Sequence, residues 1–105
     1  MTATWTAVGE ADDLPLREGR TVEIGGRVLA VFNLGDRMLT VDNRCPHRGG
    51  PLSDGIVSGD AVICPLHAWR INLSTGAVER PCEAASSQVT YATRVADGVI
   101  YIALP

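Results

Sequence analysis

The chain has 105 residues, 46% of them hydrophobic and 20% charged, with a formal net charge of −3. That length supports one folded domain with one real core, and the hydrophobic content excludes a disordered chain. The acidic balance argues against a nucleic-acid binder, which would be basic, and no apolar run approaches the roughly 20 residues that span a bilayer.

Met1-Thr2-Ala3-Thr4-Trp5 has neither a basic n-region nor an apolar h-region, so a cytoplasmic protein without a membrane segment is expected. Strand-like runs follow in order: Trp5–Val8, Thr21–Ile24, Arg27–Leu34, Arg37–Val41, and late in the chain Val89–Val95 and Val99–Leu104. Asp12-Asp13-Leu14-Pro15 reads as a turn with at most one helical turn. Gly25-Gly26, Gly35-Asp36 and Asp97-Gly98 are two-residue hairpin signals. Polar and apolar residues alternate in Thr21-Val22-Glu23-Ile24. The alternation is lost in Val28–Phe32, which predicts a strand covered on both faces. No stretch keeps a helical period, so the expected class is all-β with antiparallel sheets.

The middle of the chain, about residues 43–81, is richer in Gly and Pro. It reads as a subdomain inserted between base strands in 1–42 and 82–105 of a single domain, 1–105. Ile56-Val57 and Ala61-Val62-Ile63 can pair around a Ser58-Gly59-Asp60 turn. The open ends of that hairpin lead to two short segments that carry the chemistry.

These segments are Cys45-Pro46-His47 and Cys64-Pro65-Leu66-His67, separated by residues 48–63. Each supplies one thiol and one imidazole, and they contain both histidines of the chain. A proline after each Cys biases it to extended backbone. Gly49-Gly50-Pro51 after the first segment allows close backbone approach. Any one of these residues alone would be read as a buried thiol or a surface imidazole, but the matched pair makes a four-ligand metal set. A Rieske-type [2Fe-2S] cluster takes two Cys on one iron and two His on the other. Structural zinc also accepts two Cys and two His, and a non-redox zinc module is the alternative, although zinc fingers usually pair like with like. Three cysteines make no disulfide framework, and Cys82 is left over as a buried thiol.

The ligand mixture has an electrostatic consequence. An oxidised two-iron, two-sulfide core is a dication. Four thiolates would make the site a dianion, whereas two thiolates and two neutral imidazoles leave it neutral. A neutral site accepts an electron more readily, and Rieske potentials of about −150 to +300 mV lie above the roughly −400 mV of plant-type ferredoxins.

Cys-Pro-His-Arg-Gly at 45–49 with Cys-Pro-Leu-His-Ala-Trp at 64–69 resembles the Rieske family. The resemblance implies three antiparallel sheets with the cluster at the tip of a subdomain. It implies Cys45 and Cys64 on one iron, His47 and His67 on the solvent-facing iron, and Arg80-Pro81-Cys82 as a covering loop. High-potential members add a disulfide between the two ligand loops; the corresponding residues here are Gly50 and Leu66, so it is absent. Trp69 and Ile71 stand where those members place hydroxyl donors, so a potential near the low end, about −150 mV, is expected.

Pro51-Leu52-Ser53-Asp54-Gly55, Cys64-Pro65-Leu66-His67-Ala68-Trp69 and Leu73-Ser74-Thr75-Gly76 look more like the small subunit of NAD(P)H-dependent nitrite reductase. There the partner is a large subunit with flavin, a [4Fe-4S] cluster and sirohaem, which reduces nitrite to ammonium in nitrate assimilation. The alternative is a soluble Rieske ferredoxin that supplies a ring-hydroxylating dioxygenase, with an oxygenase and its reductase as partners. In either case this chain transfers electrons. It has no nucleotide-binding fingerprint and no independent substrate site, so any enzyme activity belongs to the complex.

Overall fold

The computed structural model describes residues 4–45, 50–65, 68–80 and 87–104. Along them run β1 (Thr4–Glu10), β2 (Gly19–Ile24), β3 (Arg27–Asn33), β4 (Met38–Asp42), β5 (Ile56–Ser58), β6 (Ala61–Ile63), β7 (Arg70–Asn72), β8 (Val78–Arg80), β9 (Thr90–Tyr91), β10 (Thr93–Ala96) and β11 (Val99–Leu104). Short 3-10 turns occupy Ala11–Asp13 and Leu52–Asp54. The described strands form three antiparallel sheets, ordered β1-β11-β10, β2-β3-β4-β9 and β5-β6-β7-β8. The expected all-β, three-sheet architecture is what forms.

Local chemistry sets two of the hairpins. Asp97 and Gly98 both have positive φ (52° and 77°), as do Gly25 and Gly26 (55° and 82°). A type I′ turn requires this, because its twist matches the flanking strands. These turns place Val99 opposite Ala96 and Arg27 opposite Ile24.

The strand β3 carries the packing of the base. Leu29, Ala30, Val31 and Phe32 are all buried. Leu29 and Val31 face one apolar cluster with Leu14, Ile100 and Ile102. Ala30 and Phe32 face a second cluster with Val41, Cys45, Leu52, Val62, Cys64, Ile71 and Leu73. From Leu29 to Phe32 the strand is therefore covered on both sides, as the apolar run predicts, whereas Val28 at its start is exposed. The second cluster is shared by the base and the β5–β8 sheet, so burying Phe32 and burying the two cysteines are one event.

The β5–β6 hairpin forms with Ile56 opposite Ile63. Its turn is held against the base by an Arg37–Asp60 ion pair at 2.8 Å and by Arg17 Nη1 donating to the Gly59 carbonyl at 3.2 Å. The opposite end of the hairpin is thereby left to the Cys-bearing loops. Two further strands, β7 and β8, complete this sheet; neither was expected from the sequence. The predicted Val89–Val95 strand is divided at Ala92. β9 pairs with β4, while β10 pairs with β11 in another sheet. The chain changes sheets there, and Thr93 Oγ1 donates to Thr40 Oγ1 (2.7 Å) across the gap.

Candidate metal centre

Two loops of identical length close in the same way. The Cys45 amide donates to the Gly50 carbonyl at 2.9 Å, and the Cys64 amide donates to the Trp69 carbonyl at 2.8 Å. Flanking bridges continue each stem: Arg44 lies opposite Pro51, and Ile63 lies opposite Arg70. Each cysteine thus begins a hairpin loop whose ends are zipped together. The order of residues differs inside, Cys-Pro-His-Arg-Gly-Gly against Cys-Pro-Leu-His-Ala-Trp. Ala68 adopts φ 56°, a left-handed conformation that costs a residue with a Cβ about 1–2 kcal/mol. Backbone strain of this kind is concentrated at functional loops.

The two thiols lie in one apolar cluster. Cys45 and Cys64 are each only 2% exposed and belong to the same apolar cluster, with Trp69 packed against it. Both are thiols, not half-cystines. His47 and His67 lie outside the described residues, as do Arg48, Pro81 and Cys82. No group of three metal-ligating side chains occurs among the described residues. What the described residues contain is a pair of buried thiols in one apolar cluster. Two buried thiols at the mouths of paired loops suit a thiolate-bound iron, because apolar walls keep water from the sulfur.

The stem of the first loop is held on both sides. Asn43, buried to 8% exposure, donates its amide to the Val28 carbonyl (3.0 Å), and its own carbonyl accepts from Leu52 N (2.8 Å). Its side-chain Oδ1 accepts from Ser53 N at 2.8 Å. On the other side the Gln88 side chain donates to the carbonyls of Asp42 and Arg44. Neither Asn43 nor Gln88 is prominent in the sequence, since each acts through backbone groups of distant residues. The turn after β7 has a clearer local signal. Asn72 Oδ1 accepts from Ser74 N and Thr75 N (2.9 and 3.1 Å), an Asx turn that ends in Gly76 at φ 80°.

The outer face of the β5–β8 sheet carries a small charged network. β8 bulges at Glu79, where the register shifts between Arg70 and Ile71. The bulge aims one carboxylate at two donors: Asn72 Nδ2 and Arg70 Nε, each at 3.0 Å. The hydrogen bond from Asn72, then that from Arg70, hold the Glu79 carboxyl below the usual carboxylate range.

Comparison with known proteins decides the family. The Rieske [2Fe-2S] domain profile matches residues 4–95. The chain belongs to the Rieske family. Its cofactor is accordingly a Rieske-type [2Fe-2S] cluster, the group the buried thiol pair fits, and the zinc alternative loses its basis. The 3-phenylpropionate/cinnamic acid dioxygenase ferredoxin subunit of Escherichia coli K12 is 36% identical over 96 residues, covering 89% of this chain and 87% of that one. The structure of a putative NADH-dependent nitrite reductase small subunit from Mycobacterium tuberculosis superposes with a TM-score of 0.90 at 28% identity, covering 100% of this chain and 98% of that one. A chain in the complex of oxygenase and ferredoxin of carbazole 1,9a-dioxygenase gives a TM-score of 0.84 at 31% identity, covering 94% and 92%. This Rieske protein therefore resembles both dioxygenase ferredoxins and nitrite reductase small subunits. No helix among its described residues is long and apolar enough to cross a membrane.

Proposed function

We propose that this Rieske protein passes single electrons through a cluster held by Cys45 and Cys64 on one iron and by His47 and His67 on the other. In this reading residues 1–105 act as one domain, with about 43–81 as the cluster-binding unit. The observation that carries the assignment is the matched pair of zipped loops, each opening on a buried cysteine of one apolar cluster. The chain's part is to bury the thiolate side of the site and to leave the histidine side for a partner. When bound, the cluster supplies reversible one-electron chemistry; the described residues offer no second reaction centre.

We further infer that the protein is the small subunit of an NAD(P)H-dependent nitrite reductase. Two features support this: the full-length likeness to a nitrite reductase small subunit, and Cys-Pro-Leu-His-Ala-Trp followed by Leu-Ser-Thr-Gly at 73–76. The second reading, a ferredoxin that serves an oxygenase, is favoured by the identity with dioxygenase ferredoxin subunits.

Two experiments test these statements separately. Iron and acid-labile sulfide analysis with the EPR spectrum of the dithionite-reduced protein tests the site. A reduced Rieske spectrum that disappears on Cys45→Ser or His67→Ala supports the ligand set, and a spectrum unaffected by them refutes it. Affinity purification from its host grown on nitrate tests the partner. Co-purification of a sirohaem flavoprotein supports the nitrite reductase subunit. Co-purification of an oxygenase or a lone flavin reductase overturns it in favour of the ferredoxin.

A further inference from the structure

Gln88 spends both polar atoms of its side chain on backbone, its Nε2 on two carbonyls far away in the chain and its Oε1 on the neighbouring amide. It is buried to 8% exposure. Its Nε2 donates to the Asp42 carbonyl at 2.8 Å and also to the Arg44 carbonyl. Its Oε1 accepts from Val89 N at 3.1 Å. Its own amide donates to the Gly76 carbonyl at 2.7 Å, and Asp42 N donates to the Val89 carbonyl at 3.0 Å. One residue therefore joins the stem of the Cys45 loop, the turn that closes β7 onto β8, and the start of β9.

The Arg44 carbonyl is the decisive acceptor. It belongs to the same planar peptide unit as the Cys45 N–H. That N–H donates to the Gly50 carbonyl, so the peptide is gripped at both ends: by the loop closure on its N–H and by Gln88 on its C=O. A gripped peptide leaves the Cα–Cβ bond of Cys45 little freedom to swing. The Gly76 turn holds Gln88 from behind. A Cβ at Gly76 would fall 2.1 Å from the Gln88 carbonyl oxygen, so the two backbones are in direct contact. The Leu73–Gly76 turn follows β7, which is the strand leaving the Cys64 loop. The latch thus ties the first ligand loop to the segment that continues from the second.

We propose that Gln88 is a positioning residue for the cluster: it fixes the Arg44–Cys45 peptide, and with it the Cys45 thiolate, relative to the Cys64 loop. The proposal rests on Cys45 being an iron ligand, as argued above. It assigns Gln88 no contact with the cluster. Partners that orient a ligand from outside the coordination sphere change metal retention by about 10–100-fold when removed, and they alter the electronic signature of the metal.

The test uses the cluster-loaded protein. Gln88→Met keeps the length of the side chain and removes its donors and acceptor. Ile102→Val, in the separate apolar cluster with Leu14 and Leu29, is the control for a general loss of stability. Cluster release to an iron chelator is followed by visible absorbance, and the EPR g-values of the reduced protein are recorded. The expected result is release about tenfold faster in Gln88→Met with shifted g-values, and both unchanged in Ile102→Val. Release at the wild-type rate with wild-type g-values, or equal acceleration in both variants, would overturn the proposal. Should Gln88→Met not accumulate as loaded protein, Gln88→Asn carries the same readouts. It keeps the amide but is one methylene too short to span both carbonyls. A wild-type protein without iron and sulfide would instead overturn the underlying reading of the site, and this is seen before any variant is measured.

Discussion

Replacing Gly76 by alanine tests how tightly the β7–β8 turn is built against Gln88. Gly76 has φ 80°, and an added Cβ would meet the Gln88 carbonyl oxygen at 2.1 Å and its carbon at 3.1 Å. Gly98 provides the comparison: it has nearly the same φ, 77°, but its Cβ would meet nothing within 4 Å. The left-handed conformation costs alanine about 1 kcal/mol at either position, once the larger conformational freedom of glycine in the unfolded chain is subtracted. Only at Gly76 must backbone move as well. Overpacking of this kind costs about 1–3 kcal/mol. Displacing Gln88 also weakens its amide bond to Gly76, worth about 1 kcal/mol. Gly76→Ala should therefore lose about 3–5 kcal/mol and Gly98→Ala about 1 kcal/mol, against a typical total of about 5–15 kcal/mol. In melting temperature the first should fall by about 15 °C or more and the second by about 5 °C. Urea and thermal unfolding followed by far-UV circular dichroism, at matched cluster content, measure both. Equal losses at the two sites would refute the close contact between Gly76 and Gln88.

Three further outcomes are expected. Cys64→Ser should abolish the visible absorbance of the cluster, and the hydroxyl it places in the apolar site should cost the fold about 1–3 kcal/mol in a urea titration. Ala68→Gly relieves a left-handed residue at φ 56° and should leave stability unchanged or raise it by about 0.5 kcal/mol; a clear loss would contradict that backbone conformation. Glu79 should contribute to acid sensitivity. Its carboxyl titrates below the usual range in the folded state, held there by Asn72 and Arg70. Its stabilisation is therefore present above the unfolded-state value and is lost as pH falls through the folded value. Thermal melts of Glu79→Gln should lie slightly below wild type at neutral pH and converge with it under acid conditions. A constant gap across that range would show that the carboxylate charge is not the cause.

The thiol pair of the candidate site could be read in the residues because its signals are local. A Cys followed by Pro biases its own backbone, and a His two or three residues later shares its loop. The two segments flank a hairpin short enough to bring them together, and Cys45 and Cys64 do share one apolar cluster. Asp97-Gly98 and Gly25-Gly26 dictate their turns for the same reason, since the φ values are set within the dipeptide. The apolar run Val28–Phe32 demanded cover on two faces and received it from Leu29 onward, while Val28 stays exposed.

Other features depend on partners far along the chain. Arg70-Ile71-Asn72 and Val78-Glu79-Arg80 are too short to display alternation; the first is a strand because β6 offers an edge, and the second because β7 then offers the next. The run Val89–Val95 has uniform strand character, yet it divides at Ala92, because β4 and β11 compete for its two halves from different sheets. Gln88 is an ordinary polar residue by composition. Its placement follows from hydrogen bonds that span 44 and 46 positions of sequence, and no local pattern encodes them. The hairpin turns, the all-β class and the candidate ligand set can be read from short stretches of residues, because short-range sterics and ligand chemistry act within a few positions. The tertiary structure alone decided which sheet each short strand joins and which side chain grips the Cys45 loop. Those choices follow from which backbone donors and acceptors remain to be satisfied once the core has closed.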